Sequence, residues 1–129
     1  NPAIPTQALA KTAIDASVKA AEFCKAHGES ARRSMLISLC VEEMVNNILE
    51  HGFKPGRKHQ SVDVRILIKG DSRIIRIRDN CVNFDPLEYL ELHKADDPAA
   101  HIGIRMVMKM VKNANYVNSL GLNNLTLVL

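Results

Sequence analysis

Apolar residues recur at helical spacing near the start of the chain. Residues 7–27 are rich in alanine and carry apolar side chains three and four positions apart, which predicts an amphipathic helix. Gly28 is expected to end that helix, because glycine readily adopts the left-handed conformation that often follows a helix C-terminus. Ser30 is a suitable N-cap for a second helix, which is predicted to run to about Glu50, just before Gly52.

Apolar and polar residues alternate in later segments, which predicts strands. Residues 62–69 and 73–78 lie on either side of Gly70-Asp71, a pair typical of hairpin turns. One face of this hairpin is apolar and the other is largely basic, and we expect the basic face to be solvated. Two further strands are predicted over residues 114–119 and 124–129.

The segment between the two hairpins is predicted to contain a mobile polar stretch and a third helix. Residues 87–100 are polar, with room for only a short helix over residues 87–93, and residues 102–111 form a Met-rich amphipathic pattern. Met106 and Met110 are predicted to lie in the core and Met108 at its edge. Because helices and strand pairs are segregated along the chain, the expected fold class is α+β, a two-layer sandwich with helices on one face of a mainly antiparallel sheet.

Composition limits the possible classes of protein. The chain has 129 residues, 47% of them hydrophobic and 24% charged, as in one ordinary globular domain. We expect a single domain, with an N-terminal helix over 1–28 and the main body over 29–129, excised from a longer chain, since the sequence does not begin with Met and stops inside a strand-like run.

Charge, aromatic content and cysteine usage exclude further classes. The net charge of +3, the absence of a basic run and the few aromatic residues argue against a nucleic-acid partner. No apolar run approaches the roughly 20 residues that a membrane-spanning helix needs. Three widely spaced cysteines suggest no disulfide framework and predict a reducing, cytoplasmic location. The histidines outside the second helix lack metal-ligand spacing, so we expect no zinc site.

The strongest indication of chemistry lies in the second helix. Glu43, Asn47 and His51 are four residues apart and share one stripe, next to a face that is apolar enough to be buried. A carboxylate there can accept a proton, and a carboxamide oxygen can bind Mg²⁺. His51 is expected to serve as a side chain at the helix C-terminus that satisfies backbone carbonyls.

Two later segments add candidate ligand contacts. Asp79 directly follows a predicted strand and precedes Phe84-Asp85-Pro86, and a carboxylate in that position can accept a hydrogen bond from an exocyclic amine. Gly103 opens the third helix, where backbone amides favour phosphate and glycine permits close approach.

In this order and on these elements, the three segments resemble the motifs of the GHKL ATPase family, which includes gyrase and the histidine kinases. Glu43, Asn47 and residues 51–53 match the family's N box, Asp79 with residues 84–86 matches its first glycine box, and Gly103 with Ile104 matches the core of its second. The resemblance covers residues 30–129 and is closest to bacterial anti-sigma-factor serine kinases. It implies the Bergerat ATP-binding fold, with ATP and Mg²⁺ as cofactors.

The resemblance also implies roles for individual residues. Glu43 would be the catalytic base, Asn47 the Mg²⁺ ligand, and Asp79 the acceptor for the adenine amine, with Thr126 nearby through water. Residues 87–102 would form a lid that orders on the nucleotide. The full implied nucleotide-binding set is Asn47, Asp79, Cys81, Phe84, His101, Ile102, Gly103, Ile104, Arg105 and Thr126.

Two positions depart from the family pattern. Cys81 and His101 stand where the family's boxes have glycine. If these glycines have positive φ, each replacement costs about 1–2 kcal/mol of strain, and larger side chains would narrow the pocket.

Several functions therefore stay open. The first is an Mg-ATP-dependent protein serine/threonine kinase that acts on a regulatory partner, such as a sigma factor or an anti-anti-sigma-like protein. The second is a catalytically inactive interaction module, gated by the nucleotide or independent of it. A histidine-kinase catalytic domain and a purely structural module are the remaining alternatives. The Ala-rich first helix is a candidate surface for docking or homodimer formation, if it does not simply pack on the rest of the domain.

Overall fold

The computed structural model describes the backbone of residues 6–129 and the side chains from residue 11 onward. Its first two helices are α1, Thr6–Ala26, and α2, Ala31–His51. The turn between them is the predicted one, because Gly28 has a φ of +83° and the Ser30 hydroxyl accepts a hydrogen bond of 3.1 Å from the Arg33 amide. α1 packs along α2 and buries Ala13, Ala20 and Cys24.

Four antiparallel strands form one sheet. They are β1, Val62–Lys69, β2, Ser72–Asp79, β3, Asn113–Ser119, and β4, Leu122–Val128, in the spatial order β1-β2-β4-β3. The last strand of the chain therefore lies in the interior of the sheet between β2 and β3. Each of the two predicted hairpins is confirmed by a continuous register of paired residues.

The helices cover one face of this sheet, which confirms the α+β sandwich. Core side chains come from both layers: Ile75, Ile77 and Leu127 from the strands, and Ile37 and Val41 from α2, each at most 1% exposed. Alternation along β2 places Arg76 and Arg78 on the other face, and they are exposed to solvent as predicted. The prediction is wrong for Arg73, which shares the parity of Ile75 and is largely buried.

Two shorter helices follow β2 in the chain. α3 is Pro86–Leu92 and α4 is Ile102–Met110. Asp85 caps α3, since its Oδ1 accepts hydrogen bonds from the amides of Leu87 and Glu88 at 2.9 and 3.2 Å.

The buried stripe of α4 differs from the prediction. Ile104 and Val107 are buried, and Met108 and Met110 pack against the core, whereas Met106 does not. The placement of Met106 in the core is therefore wrong, whereas Met108, partly buried against the core, lies at its edge as predicted. The stripe follows positions three and four after Ile104, and Met106, two positions after it, points away from the sheet.

A largely buried ion pair joins the turn between the first two helices to the sheet. Arg73 Nη2 and Nε lie 2.6 and 2.8 Å from Glu29 Oε1, and the two side chains are only 16% and 8% exposed. The Arg73 guanidinium lowers the pKa of Glu29 through this hydrogen bond. In residues 6–129, no helix combines the length and the apolar character needed to cross a membrane.

Candidate functional site

The stripe of α2 that carries the predicted motif faces the rest of the domain. Asn47 is buried, Glu43 is half-buried, and the Glu43 carboxylate lies against the first turn of α4. His51 does not serve the expected role of a carbonyl cap. Its ring stacks on that of Phe84, with centroids 4.3 Å apart and planes 10° apart, so it joins the end of α2 to the segment after β2.

Gly103 is positioned by its contact with Glu43. A β-carbon added at Gly103 would overlap the Cδ and both carboxylate oxygens of Glu43. The absence of a side chain at this position therefore lets the carboxylate approach the backbone of α4. Gly103 itself has an ordinary helical conformation, so the reason for glycine here is space rather than backbone freedom.

The environment of Glu43 favours its protonated form. Removal from solvent raises the pKa of its carboxyl group, and the neighbouring charges of Glu42 and Glu50 raise it further. The Asn47 amide opposes this rise. A carboxylate with a raised pKa is a better proton acceptor than a solvated one, which suits a general base.

Asn47 has an unsatisfied polar atom. Its Nδ2 is buried and makes no hydrogen bond to any residue in the described part of the chain. A buried amide without a partner costs free energy, so this side chain fits a ligand that supplies one. Its amide oxygen is a suitable ligand for Mg²⁺, because it lies one helical turn from the carboxylate of Glu43.

Asp79 lies at the end of β2, is 5% exposed, and is held by two hydrogen bonds. Its Oδ1 accepts from the Cys81 amide at 2.9 Å and from Asn123 Nδ2 at 2.8 Å. Asn123 also accepts hydrogen bonds at its Oδ1 from Tyr116 and Asn118 on β3. This network fixes the carboxylate and connects it to both strands of the second hairpin.

Thr126 does not lie beside Asp79. The register pairs Thr126 with Arg76 and Asp79 with Asn123, and Thr126 faces the basic side of the sheet. The prediction that Thr126 assists adenine binding is therefore corrected, because successive strand residues point to opposite faces. Asn123 occupies that place. The alternation with Leu125 and Leu127 could have identified it as inward-facing from the sequence.

A small cavity lies between these residues. It is lined by Asn47, Asp79 and Asn123 together with apolar side chains, and it has a volume of about 10 Å³. That is room for about one water molecule. The apolar lining residues are Met44, Ile48, Phe84, Pro86, Tyr116 and Leu125.

His101 and Cys81, which stand where the family pattern has glycine, differ in backbone conformation. His101 has φ and ψ of 58° and 35°, in the left-handed region where glycine is unstrained. Cys81 does not have a positive φ, and its side chain is 4% exposed. Burial, followed by the charge of Asp79, raises the pKa of the Cys81 thiol to about 11, so the thiol is protonated at neutral pH.

The residues expected near the phosphates occupy varied environments. Ile102 is 61% exposed, whereas the side chain of Ile104 is buried in the core, so only its backbone is available to a ligand. The Arg105 guanidinium donates to the carbonyls of Ala100 and His93 at 2.9 and 3.3 Å. Arg105 therefore holds the segment before α4 in this conformation, and it must release those carbonyls to contact a phosphate.

Comparison with known proteins adds independent findings. The family model of the histidine kinase-like ATPase domain matches residues 6–129. The serine/threonine-protein kinase BtrW of Bordetella bronchiseptica is 31% identical over 105 residues, which are 76% of this chain and 71% of that protein.

One solved structure resembles the fold. The histidine kinase domain of the blue-light activated histidine kinase from Erythrobacter litoralis EL346 superposes with a TM-score of 0.57 and 19% identity. The match covers 78% of this chain and 46% of that one, so the chain spans about half of the solved structure.

Proposed function

The chain belongs to the family of histidine kinase-like ATPase domains, and we propose that it is an Mg-ATP-dependent protein serine/threonine kinase with a regulatory protein as its substrate. One observation carries the proposal. Asn47 and Asp79 line the same cavity, and Glu43, one turn from Asn47, reaches the first turn of α4. The residues proposed for adenine, metal and proton transfer thus lie around one place.

Asp79 is the proposed acceptor for the adenine amine. Its carboxylate is buried and oriented by the Cys81 amide and Asn123. A buried carboxylate discriminates strongly for a ligand that donates a hydrogen bond, because a ligand without the donor leaves the charge unsatisfied. Asn123 is a positioning residue, since it acts through Asp79.

The phosphates are proposed to lie at the N-terminus of α4, near Gly103. Backbone amides at a helix N-terminus and the helix dipole both favour an anion there. Asn47 is the residue that would hold Mg²⁺, because its amide oxygen, one turn from the carboxylate of Glu43, suits that ion. When bound, Mg²⁺ would neutralise charge on the phosphate oxygens.

Glu43 is proposed to accept the proton of the attacking hydroxyl group. The serine or threonine oxygen then bonds to the γ-phosphorus of ATP, the bond from that phosphorus to the bridging oxygen breaks, and ADP leaves. Desolvation and the raised pKa of Glu43 support a role as base at neutral pH. The similarity to a protein named a serine/threonine-protein kinase supports this acceptor class.

The proposed partner is a component of a sigma-factor regulatory system, in line with the anti-sigma-factor kinases that the motifs resemble. We propose α1 as a surface for such a partner or for a second copy of the chain. Its residues Ile14 and Val18 are each 50% exposed although the opposite side of the helix packs on α2.

A second function, a catalytically inactive interaction module, is favoured by one specific observation. The cavity beside Asp79 has a volume of about 10 Å³, which cannot admit adenine without movement. A protein that keeps this conformation would bind its partner without nucleotide.

Calorimetric and thermal-shift titrations with Mg-ATP and Mg-ADP separate the two functions. The test variant is Asp79→Asn, which keeps the shape of the side chain and an oxygen for the Cys81 amide but removes the charge. The matched control is Asp63→Asn, on the solvated face of the sheet. Binding by the wild type and the control, with loss in Asp79→Asn, supports the nucleotide site. No shift at millimolar nucleotide in any of the three would refute it.

Transfer of phosphate then tests the kinase. Glu43→Gln should keep Mg-ATP binding but lower the rate of phosphate transfer or release by about 10²–10⁴-fold, the usual worth of a general base. Glu91→Gln, at an exposed residue paired with Lys94, is the control and should keep the wild-type rate. Equal rates in both variants would exclude Glu43 as the base and favour the non-catalytic module.

A further inference from the structure

Three potential metal ligands meet between α3 and α4, away from the cavity beside Asp79. Asp96 Oδ2 lies 3.0 Å from His93 Nδ1 and 2.9 Å from His101 Nε2, so one carboxylate oxygen contacts both imidazoles. The three ligand atoms all lie within 4.8 Å of one another. The histidine spacing alone gave no such indication, because the carboxylate that completes the group lies between the two histidines.

The two histidines are held at fixed places in the fold. His93 is the residue that ends α3, and His101 is the residue that precedes α4. The ring of Tyr89 packs against both imidazoles, with its centroid 4.2 Å from that of His93 and 5.2 Å from that of His101. The left-handed backbone of His101 costs about 1 kcal/mol for a non-glycine residue, and its imidazole reaches Asp96 from there.

We propose that His93, Asp96 and His101 bind a first-row transition metal ion, with Zn²⁺ as the best fit. Two imidazoles and one carboxylate are a common ligand set for zinc sites that leave a fourth position open. Bonds of about 2.0–2.1 Å in a tetrahedral site separate the ligand atoms by about 3.3 Å, so each gap to Asp96 has to widen by only a few tenths of an ångström.

The surroundings suit an ion that enters from solvent. The side chains of His93, Asp96 and His101 are 38%, 44% and 21% exposed, so small rotations suffice. The nearest cationic groups are otherwise engaged: Arg105 bonds to backbone carbonyls, and Lys94 pairs with Glu91. The His101 backbone carbonyl accepts from the Arg105 amide, which anchors that ligand to the first turn of α4.

Metal binding would tie the end of α3 to the start of α4. His101 is two residues before Gly103, so the ion would fix the segment that approaches Glu43. Binding of the ion can be tested apart from the proposed kinase activity, because it needs no nucleotide, although His101 also directly precedes the helix at which the phosphates are proposed to lie.

Direct metal titration tests this site without any nucleotide. The 129-residue chain, without a histidine tag, would be titrated with Co²⁺ and followed by visible absorption, and with Zn²⁺ by calorimetry. We expect one ion per chain, with Co²⁺ absorption bands of a four- or five-coordinate site that disappear when Zn²⁺ displaces Co²⁺.

Two variants test whether the proposed residues bind the ion. Asp96→Asn and His101→Gly should each weaken Zn²⁺ binding by at least about 100-fold, the upper end of what an outer-shell change causes. His101→Gly also removes the backbone strain, so it is expected to fold. The control is His27→Gln, at an exposed histidine whose Nδ1 bonds to the Phe23 carbonyl. A Kd above about 100 μM in the wild type, or unchanged affinity in both variants, would overturn the proposal.

Discussion

The contact between Gly103 and Glu43 predicts a dependence of one residue on the other that can be measured without nucleotide. Alanine at Gly103 should gain about 0.5–1 kcal/mol over glycine from helix propensity. In the wild type, however, the new methyl group overlaps the Glu43 carboxyl group, which has to leave its place. Overpacking of this kind costs about 1–3 kcal/mol.

Helix propensity and overpacking oppose each other, so the effect of Gly103→Ala on the free energy of unfolding should depend on whether Glu43 is present. In the wild type, Gly103→Ala should be neutral or destabilising by up to about 2.5 kcal/mol. When Glu43→Ala has already removed the carboxylate, the same change should stabilise the domain by about 0.5–1 kcal/mol. The expected coupling free energy is therefore about 1–3 kcal/mol, in the range seen for residues in contact.

The assay is urea unfolding followed by far-UV circular dichroism for the four proteins of this cycle. Glu42→Ala provides a matched background, because its neighbouring carboxylate does not meet the Gly103 position. There, Gly103→Ala should behave as it does in the wild type. If Gly103→Ala changes the free energy of unfolding by the same amount with and without Glu43, within about 0.5 kcal/mol, the two residues are not in contact and the reasoning fails.

Three further predictions concern stability and reactivity. Because the pKa of Glu29 is lowered in the folded state, its pairing with Arg73 stabilises the protein above about pH 4.3 and is lost as pH falls through the lowered value, so Glu29→Gln should lower the urea midpoint more at pH 7 than at pH 3. Cys81 should resist iodoacetamide at pH 8 in the native protein, where burial and a pKa of about 11 leave about 0.1% thiolate, and mass spectrometry should find it modified readily in urea. Gly52→Ala should cost about 1–3 kcal/mol in urea unfolding, because its methyl group would lie 2.9 Å from the backbone oxygens of both Ile48 and Val82.

Each of the three predictions, on Glu29, Cys81 and Gly52, has an outcome that would contradict it. The control for Glu29 is Glu91→Gln, in an exposed pair with Lys94, which should leave the urea midpoint nearly unchanged at both pH values. If Glu29→Gln lowers the midpoint no more than Glu91→Gln does, the pair of Glu29 and Arg73 does not stabilise the fold more than an exposed pair. Equal rates of Cys81 modification in native and unfolded protein would contradict its burial. At Gly56, a β-carbon would meet nothing within 4 Å, so Gly56→Ala should cost only the left-handed backbone term of about 1 kcal/mol. A Gly52 variant no worse than the Gly56 variant would contradict the close contact.

Local patterns were enough to predict most of the fold. The strands predicted over 62–69 and 114–119 and the cap at Ser30 agree with the structure, because alternation and capping depend on neighbours in the chain. The stripe of Glu43 and Asn47 was predicted for the same reason, since residues four apart on a helix must share a face.

The features of the site that could not be predicted from the sequence depend on contacts between distant segments. The network of Asn123, Tyr116 and Asn118 around Asp79 requires the pairing of β4 with both β2 and β3, which no local pattern reports. The error at Thr126 has a simpler cause. A shift of one position in a strand reverses the face, and counting back from Leu127 would have given Asn123.

The small size of the cavity also raises the question of which side moves when a nucleotide enters. Asn47 and Asp79 belong to α2 and β2, whose neighbouring side chains form the closely packed core, so this wall cannot retreat at low cost. Phe84 and Pro86 form the opposite wall and belong to the segment after β2, which is held by the ring of His51 and by a hydrogen bond of 3.0 Å from Asn118 to Asn83. Phe84 also packs against the core and Pro86 is buried, but the ring contact and the hydrogen bond are each worth only about 1 kcal/mol, and this segment carries fewer core side chains than α2 and β2. Opening should therefore occur on the Phe84 side. The apparent affinity for nucleotide would then equal the affinity of the open pocket reduced by the fraction of molecules in which that side is displaced.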